Sequence, residues 1–232
     1  AEGHPFFTDE LALALRAAGA IEVSDGVAAL AVDAAAGTLD LPETVQAAIL
    51  ARIDRLEPRQ QLAIKVASVI GRTFPFELLH AIYPVEPDRP LLRGKLDELE
   101  GLALTEQEAP DPNPAWAYRQ ETTREVAYDL LLYSQRRQLH RGVAEALEAR
   151  APEHLVPLYP RLAWHWGRAD EPQQTVFYLE RAGDQAVLEG AYQEAAGFFS
   201  EAMRLAPQLA EGDADPYRRA HWERQLGEAM LG

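Results

Sequence analysis

VFYLERAGDQAVLEGAYQEAAGFFSEAMRLAPQL, residues 176–209, is the stretch from which the rest of the chain can be read. Its apolar residues recur at three-and-four spacing, which predicts two amphipathic helices, over 172–189 and 191–206. Leu179, Ala182, Gly183 and Ala186 form one stripe, Ala195, Phe199 and Ala202 form another, and Pro207 stops the second helix. Small residues where two helices cross let the backbones approach, and one large aromatic fills the hole between neighbouring pairs. An array of such pairs too short to cap itself leaves apolar faces exposed, which makes an interaction surface.

All of those positions carry residues acceptable in a tetratricopeptide repeat, and the stretch resembles one. Helical periods over 155–168, 172–189, 191–206 and 216–231 recur at steps of roughly twenty residues, the pattern of stacked helical hairpins. Leu226-Gly227 followed by Met230 is similar to the opening of a next repeat. Ala163, Trp166, Leu179 and Ala182 suggest that helix 172–189 is shared with a preceding, degenerate pair. A generic helical bundle is the alternative for this half.

Upstream, 122–132 and 135–150 also have helical period, the second with Leu139, Val143, Ala146 and Leu147 on one face. Before them come helices over 42–56, 59–70, 76–82 and 91–99, punctuated by Pro42, Pro58, Gly71 and Gly101. Helix 59–70 is apolar on nearly all sides, which predicts a buried central helix. Leu102-Ala103-Leu104-Thr105 and Trp116-Ala117-Tyr118-Arg119 alternate in period two on either side of a Pro- and Asp-rich loop, as a small antiparallel hairpin does. Three helices and a hairpin suggest a winged helix. At the N-terminal end, 8–18 reads as a helix with an acidic first turn that stops at Gly19, and 20–41 as a linker or a hairpin around Ser24-Asp25-Gly26.

Composition narrows the chemistry. In 232 residues, 47% hydrophobic and 25% charged is a globular balance, enough for one large domain or two small ones. The absence of cysteine removes disulfides, thiolate nucleophiles, zinc fingers and iron–sulfur ligation together. With 22 basic against 37 acidic residues the net charge is −15, a field that repels phosphate backbones and anionic membranes. No run approaches the ~20 apolar residues of a membrane span, and AEGHPFFTDELALAL lacks a basic leader, so a cytoplasmic protein is expected. The chain starts without Met and stops straight after a helical stretch, as a piece of a longer polypeptide would.

Five further segments, in order, carry a family resemblance. Gly3-His4-Pro5-Phe6-Phe7 with Glu10-Leu11 is similar to the GNPFF-x-EEL stretch that closes the ATPase module in STAND-type signalling ATPases. Such proteins occur fused to class III adenylate or guanylate cyclases, serine/threonine kinases or LuxR-type regulators. Leu41-Pro42-Glu43-Thr44-Val45-Gln46 and Ala51-Arg52-Ile53-Asp54-Arg55-Leu56 resemble their LP-x-TVQ…ARIDRL segment, and Ala67-Ser68-Val69-Ile70-Gly71-Arg72-Thr73-Phe74 their AAVIGR-F segment. Arg124-Glu125-Val126-Ala127-Tyr128 and Arg136-Arg137-Gln138-Leu139-His140 match REVAY and RR-x-LH. The resemblance covers essentially the whole chain. One departure is Gln120, where the family usually has a histidine just before the REVAY helix.

The resemblance implies that Gly3 and Pro5 lie against the adenine of ATP or ADP in the intact protein, where Mg accompanies the nucleotide. Without the partner module, Gly3 to Phe7 reads as a helix start with a hydrophobic staple. A phosphate cradle needs GxxxxGK followed by Ser or Thr, and Gly94-Lys95-Leu96 supplies neither the earlier glycine nor the hydroxyl, so this chain alone is not expected to hydrolyse ATP or to hold a cofactor. The candidate recognition helix, 88–101, carries Arg89, Arg93 and Lys95 against Asp88, Asp97, Glu98 and Glu100, which disfavours nucleic acid. Arg136, Arg137, His140 and Arg141 form the one basic cluster, read either as a solvated face pairing with nearby acids such as Glu145 and Glu148 or as a docking patch against an acidic surface of the missing ATPase module or of the repeats. The histidines at 4, 80, 140, 154, 165 and 221 show no zinc spacing, and His165, between Trp164 and Trp166, is expected at a helix-packing edge. No catalytic residue and no metal ligand emerges.

The reading is therefore an all-α chain with one small β-hairpin: the end of an ATPase lid and linker over 1–40, a winged-helix domain over 41–133, and truncated tetratricopeptide-like repeats over 134–232. Its expected role is a non-catalytic regulatory and protein-interaction segment whose partners are the upstream ATPase module and a protein bound by the repeats, with no membrane. A stand-alone peptide-binding repeat module is the first alternative, and a DNA-binding transcriptional regulator the second.

Overall fold

The computed structural model describes residues 44–150, 152–209 and 216–231, and before them Thr8 and residues 11–13, 15, 16, 20–24 and 27–30. The expected helix–linker junction at 17–19 and all of 31–43 lie outside the described residues. Contacts divide the chain into two units, residues 1–131 and 132–232. Both are mostly helical, and the first also carries a small antiparallel sheet.

In the first unit β1 (Ile21–Ser24) and β2 (Val27–Leu30) pair antiparallel with Ser24 opposite Val27, so part of the 20–41 stretch is a hairpin. Helix α1 (Val45–Asp54) starts where the Thr44 hydroxyl accepts the Ala47 amide at 3.1 Å. Helix α2 (Pro58–Ile70) starts with a proline in its first turn and a capping box, in which the Gln60 side chain accepts the Glu57 amide at 2.9 Å. Ala63, Ile64, Val66, Ala67 and Val69 are fully buried, which makes α2 the central helix that its composition predicts. It ends at Gly71, whose φ of +142° would strain any L side chain.

Strand β3 (Thr73–Pro75), helix α3 (Phe76–Ile82), a 3-10 segment (Glu86–Leu91) and helix α4 (Leu92–Gly101) follow. Strands β4 (Thr105–Ala109) and β5 (Ala115–Tyr118) then lead into α5 (Glu121–Asp129). The sheet order is β3-β5-β4, with Trp116 opposite Phe74 on one side and Gln107 on the other. Two expectations are corrected here. The first hairpin strand begins at Thr105, because the amides of Leu102, Ala103 and Leu104 bond back to Glu98, Glu100 and Leu99 as the exit of α4, with Ala103 at φ +57°. A third strand, β3, joins the hairpin; its three residues are too few to show a period.

The sheet is fastened to α2 by Tyr118, which is fully buried and donates its hydroxyl to the Ile64 carbonyl. Arg52 is buried too, and its guanidinium donates to the Leu102 carbonyl at 2.8 Å, tying α1 to the exit of α4.

In the second unit α6 (Tyr133–Arg150), α7 (Tyr159–Arg168), α8 (Pro172–Leu188), α9 (Tyr192–Leu205) and α10 (Pro216–Leu231) each pack chiefly on the helix before and the helix after. That nearest-neighbour stacking is how helical pairs bury a continuous core without long-range contacts. Left-handed residues turn the chain between helices, Asp170 at φ +61° after α7 and Gly190 at φ +75° after α8. Among the described residues no helix is long and apolar enough to cross a membrane.

Candidate interaction grooves of the helical array

The crossing of α8 and α9 sets the geometry of the second unit. Leu179, Ala182, Gly183, Ala186, Ala195, Phe199 and Ala202 are all buried, while Pro207 is exposed in the 3-10 turn (Ala206–Gln208) that follows α9. A Cβ on Gly183 would lie 2.6 Å from Cζ of Phe199, so the ring rests directly on the glycine. Two grooves flank the stacked helices. One, of about 660 Å³, lies among α7, α8 and α9 and is floored by Ala163, Gly167, Leu179 and Gly197 beside Trp164 and Phe198. Its charges, Arg168, Arg204, Glu194 and Glu201, balance.

The other groove, of about 590 Å³, is lined by Glu145 and Glu148 from α6, Trp166 from α7, Phe177 and Tyr178 from α8, and Arg218 from α10. Glu148 holds its wall: it accepts the Trp166 indole N–H at 2.8 Å and is hydrogen-bonded by Tyr178. Burial first, and that carboxylate second, push the Tyr178 hydroxyl well above its ordinary pKa. Arg218 is taken up by Glu180, at 2.8 and 2.5 Å, and Glu180 also accepts the Trp222 indole at 2.7 Å. Gln174, also on the lining, has its Oε1 shut off from solvent without a donor.

Between α6 and α7, His140 and His165 face each other with Nδ1 atoms 3.0 Å apart, both fully buried. One must donate and the other accept, so the neutral pair makes one hydrogen bond. Burial pulls the His140 pKa down to about 4, with Arg168 and Arg136 adding to it. His165 is pulled down further by burial, by His140 and by Arg161, and its Nε2 is buried without a partner. The expected helix edge for His165 is corrected: it is core, because the Trp164 ring covers the pair edge-on on one side, 4.9 Å from His140 and 4.7 Å from His165.

The same contact corrects the basic cluster. His140 is not part of a surface patch, since the α6 face that carries it packs on α7. Arg137 donates to the Ala169 carbonyl at 3.3 Å and lies 3.4 Å from Asp170, and Arg141 pairs with Glu171. Those acids sit in the α7–α8 turn rather than one helical turn away at Glu145 and Glu148. Arg136 is half-buried, and its charge acts on His140. The loop partners escaped the sequence because they lie about thirty residues downstream, outside any helical spacing.

In the first unit the cations of the 88–101 region are held by acids of the same unit. Arg93 forms a two-point pair with Asp111 at 3.0 and 2.8 Å, and Lys95 meets Glu98 at 2.8 Å and Glu57 at 3.2 Å. Arg89 donates to the Tyr83 carbonyl at 3.0 Å. Gln120 occupies the N-cap position of α5 in extended backbone without a side-chain cap bond. Gly3 and Pro5 lie outside the described residues. Among the described residues no three His, Asp or Glu side chains gather to hold a metal ion.

No family model, curated protein or solved structure matches this chain.

Proposed function

We propose that the chain is a non-catalytic regulatory and protein-interaction segment of a larger nucleotide-dependent signalling ATPase of the STAND type, coupling the state of an upstream nucleotide to partner binding. The observation that carries this reading is the order of the quoted segments along the chain. The described ones lie at these places: Thr44 caps α1, Gly71-Arg72-Thr73-Phe74 runs from the end of α2 into β3, Arg124 to Tyr128 lies within α5, and Arg136 to His140 lies in the first half of α6. In this reading the part of the first unit that holds α1 to α5 and the three-stranded sheet is the winged helix. The second is the tetratricopeptide-like array that receives a partner in the cytoplasm.

Coupling of this kind requires two states. A partner on the repeats shifts the nucleotide module only by the difference in its affinity for the docked and released arrangements, and nucleotide acts back by the same factor. ATP or ADP with Mg belongs to the upstream module, and Gly3 and Pro5 would be this chain's contribution to the adenine site.

Calorimetry with ATP and ADP tests the proposal, comparing this chain with one extended through the preceding domain. Binding by the extended protein alone is expected. Binding by this chain itself overturns the proposal, and silence from both replaces it with the stand-alone peptide-binding module.

A further inference from the structure

We infer that the seam between α6 and α7 is an acid-opened latch: protons taken up by the His140–His165 pair part α6 from α7 while the α8–α9 hairpin stays folded. The two rings are fully buried, and their one hydrogen bond joins one helix to the other. Neutral, the pair has one Nδ1–H donor and one Nδ1 acceptor. A first proton leaves that bond in place but buries a charge, and a second turns both Nδ1 atoms into donors and breaks it. Arg136 of α6 and Arg161 and Arg168 of α7 act on the rings, so each added proton meets positive charge already there.

The other ties of α6 yield in the same direction. Arg137 pairs with Asp170 and Arg141 with Glu171, both acids of the α7–α8 turn, and the Glu148 carboxylate of α6 holds the Trp166 indole of α7 and the Tyr178 hydroxyl of α8. Acid neutralises those carboxylates, so none of the three ties opposes opening. The neighbouring seam is built otherwise. Ala182, Gly183, Ala186, Ala195, Phe199 and Ala202 close the α8–α9 crossing, and no side chain among them takes a proton. Helix α6 packs extensively on α7 alone, whereas α8 has α7 on one side and α9 on the other. It is also the first helix of the second unit, so opening its seam loosens the array from the chain that leads into it.

The rings bind protons more weakly in the closed seam than in water, so falling pH favours the open form. His140, held at about 4 when closed against an ordinary value near 6.5, by itself shifts the opening equilibrium roughly fiftyfold between pH 7 and pH 4.5.

Hydrogen exchange of the full chain at pH 7 and pH 4.5, read by mass spectrometry as protection of α6 against protection of α8 and α9, tests the latch. Protection of α6 should fall at least about tenfold more than that of α8 and α9, and return at pH 7. His140→Asn with His165→Asn keeps a donor and an acceptor near the Nδ1 positions but takes no proton, and should hold the loss in α6 to within about threefold. Should the double variant not fold, His165→Asn alone leaves one titrating ring and should give a loss in α6 clearly smaller than the native one. Equal loss across α6, α8 and α9 would mean that the unit unfolds as a whole and overturns the latch. An undiminished loss in the asparagine variants assigns the opening to the carboxylates and overturns the role of the pair, and unchanged protection of α6 in the native chain overturns both. Nucleotide binding is not part of this readout, so the coupling proposal and the latch can fail separately.

Discussion

The Phe199 ring sits against the backbone of Gly183 so closely that a single added carbon on Gly183 would come within 2.6 to 2.9 Å of three ring atoms. Both residues are buried, and the ring is an inflexible one held between helices α8 and α9. Glycine is needed here for space, not for backbone freedom, since it lies inside an ordinary helix.

Gly183→Ala should therefore destabilise the second unit although alanine favours helix. Overpacking of this kind costs about 1–3 kcal/mol, more than the ~1 kcal/mol that alanine returns in propensity. The double variant with Phe199→Leu should recover part of the loss, and urea unfolding of the four proteins gives the coupling. Independent, additive losses would show that the two side chains do not share one space.

The His140–His165 pair predicts acid sensitivity. Both folded-state pKa values lie below the unfolded value, so the unfolded chain binds more protons as pH falls. The stability contributed by the neutral pair is complete above about pH 6.5 and is lost toward pH 4, at up to about 1.4 kcal/mol per pH unit for each histidine. The cations Arg136, Arg161 and Arg168 sharpen this, because a proton on either ring adds to existing positive charge. His140→Leu with His165→Leu should flatten the slope of unfolding free energy between pH 6.5 and 4, and an unaltered slope would assign acid sensitivity elsewhere.

Glu148 and Glu145 are neighbours on α6 with different work to do. Glu148→Ala removes the acceptor for both the Trp166 indole and the Tyr178 hydroxyl and should cost about 2–4 kcal/mol, whereas Glu145→Ala should cost less than about 0.5 kcal/mol. Thermal unfolding separates them, and similar midpoints for the two variants would contradict the hydrogen-bonding arrangement.

Only Phe177 and Tyr178 of the groove that Glu148 walls stood in the quoted stretch, without being visible as a groove. Phe177 and Tyr178 directly precede Leu179, but periodicity marks only the stripe that packs, and it assigned Leu179 while leaving the two residues before it undescribed. Nothing along the chain announces Gln174 as an acceptor without a donor, because that depends on which side chains from α6, α7 and α10 arrive beside it. For the basic cluster, spacing offered Glu145 and Glu148 as partners, and the fold supplied Asp170 and Glu171 instead.

By itself the sequence determined where the helices run and how they stop: a hydroxyl at Thr44, a proline at 58, a glycine in positive φ at 71 and another at 190 act within one turn of the residues they cap. It also determined the α8–α9 hairpin, since small residues, a phenylalanine and their spacing are local facts. Tertiary structure decided that β3 joins the sheet, that two histidines 25 residues apart become one hydrogen-bonded pair, and which acceptors lack donors. Helix caps and periods are set by neighbours in the chain, whereas pairing and burial are set by whichever surfaces the packed helices bring together, and no spacing along the sequence records that choice.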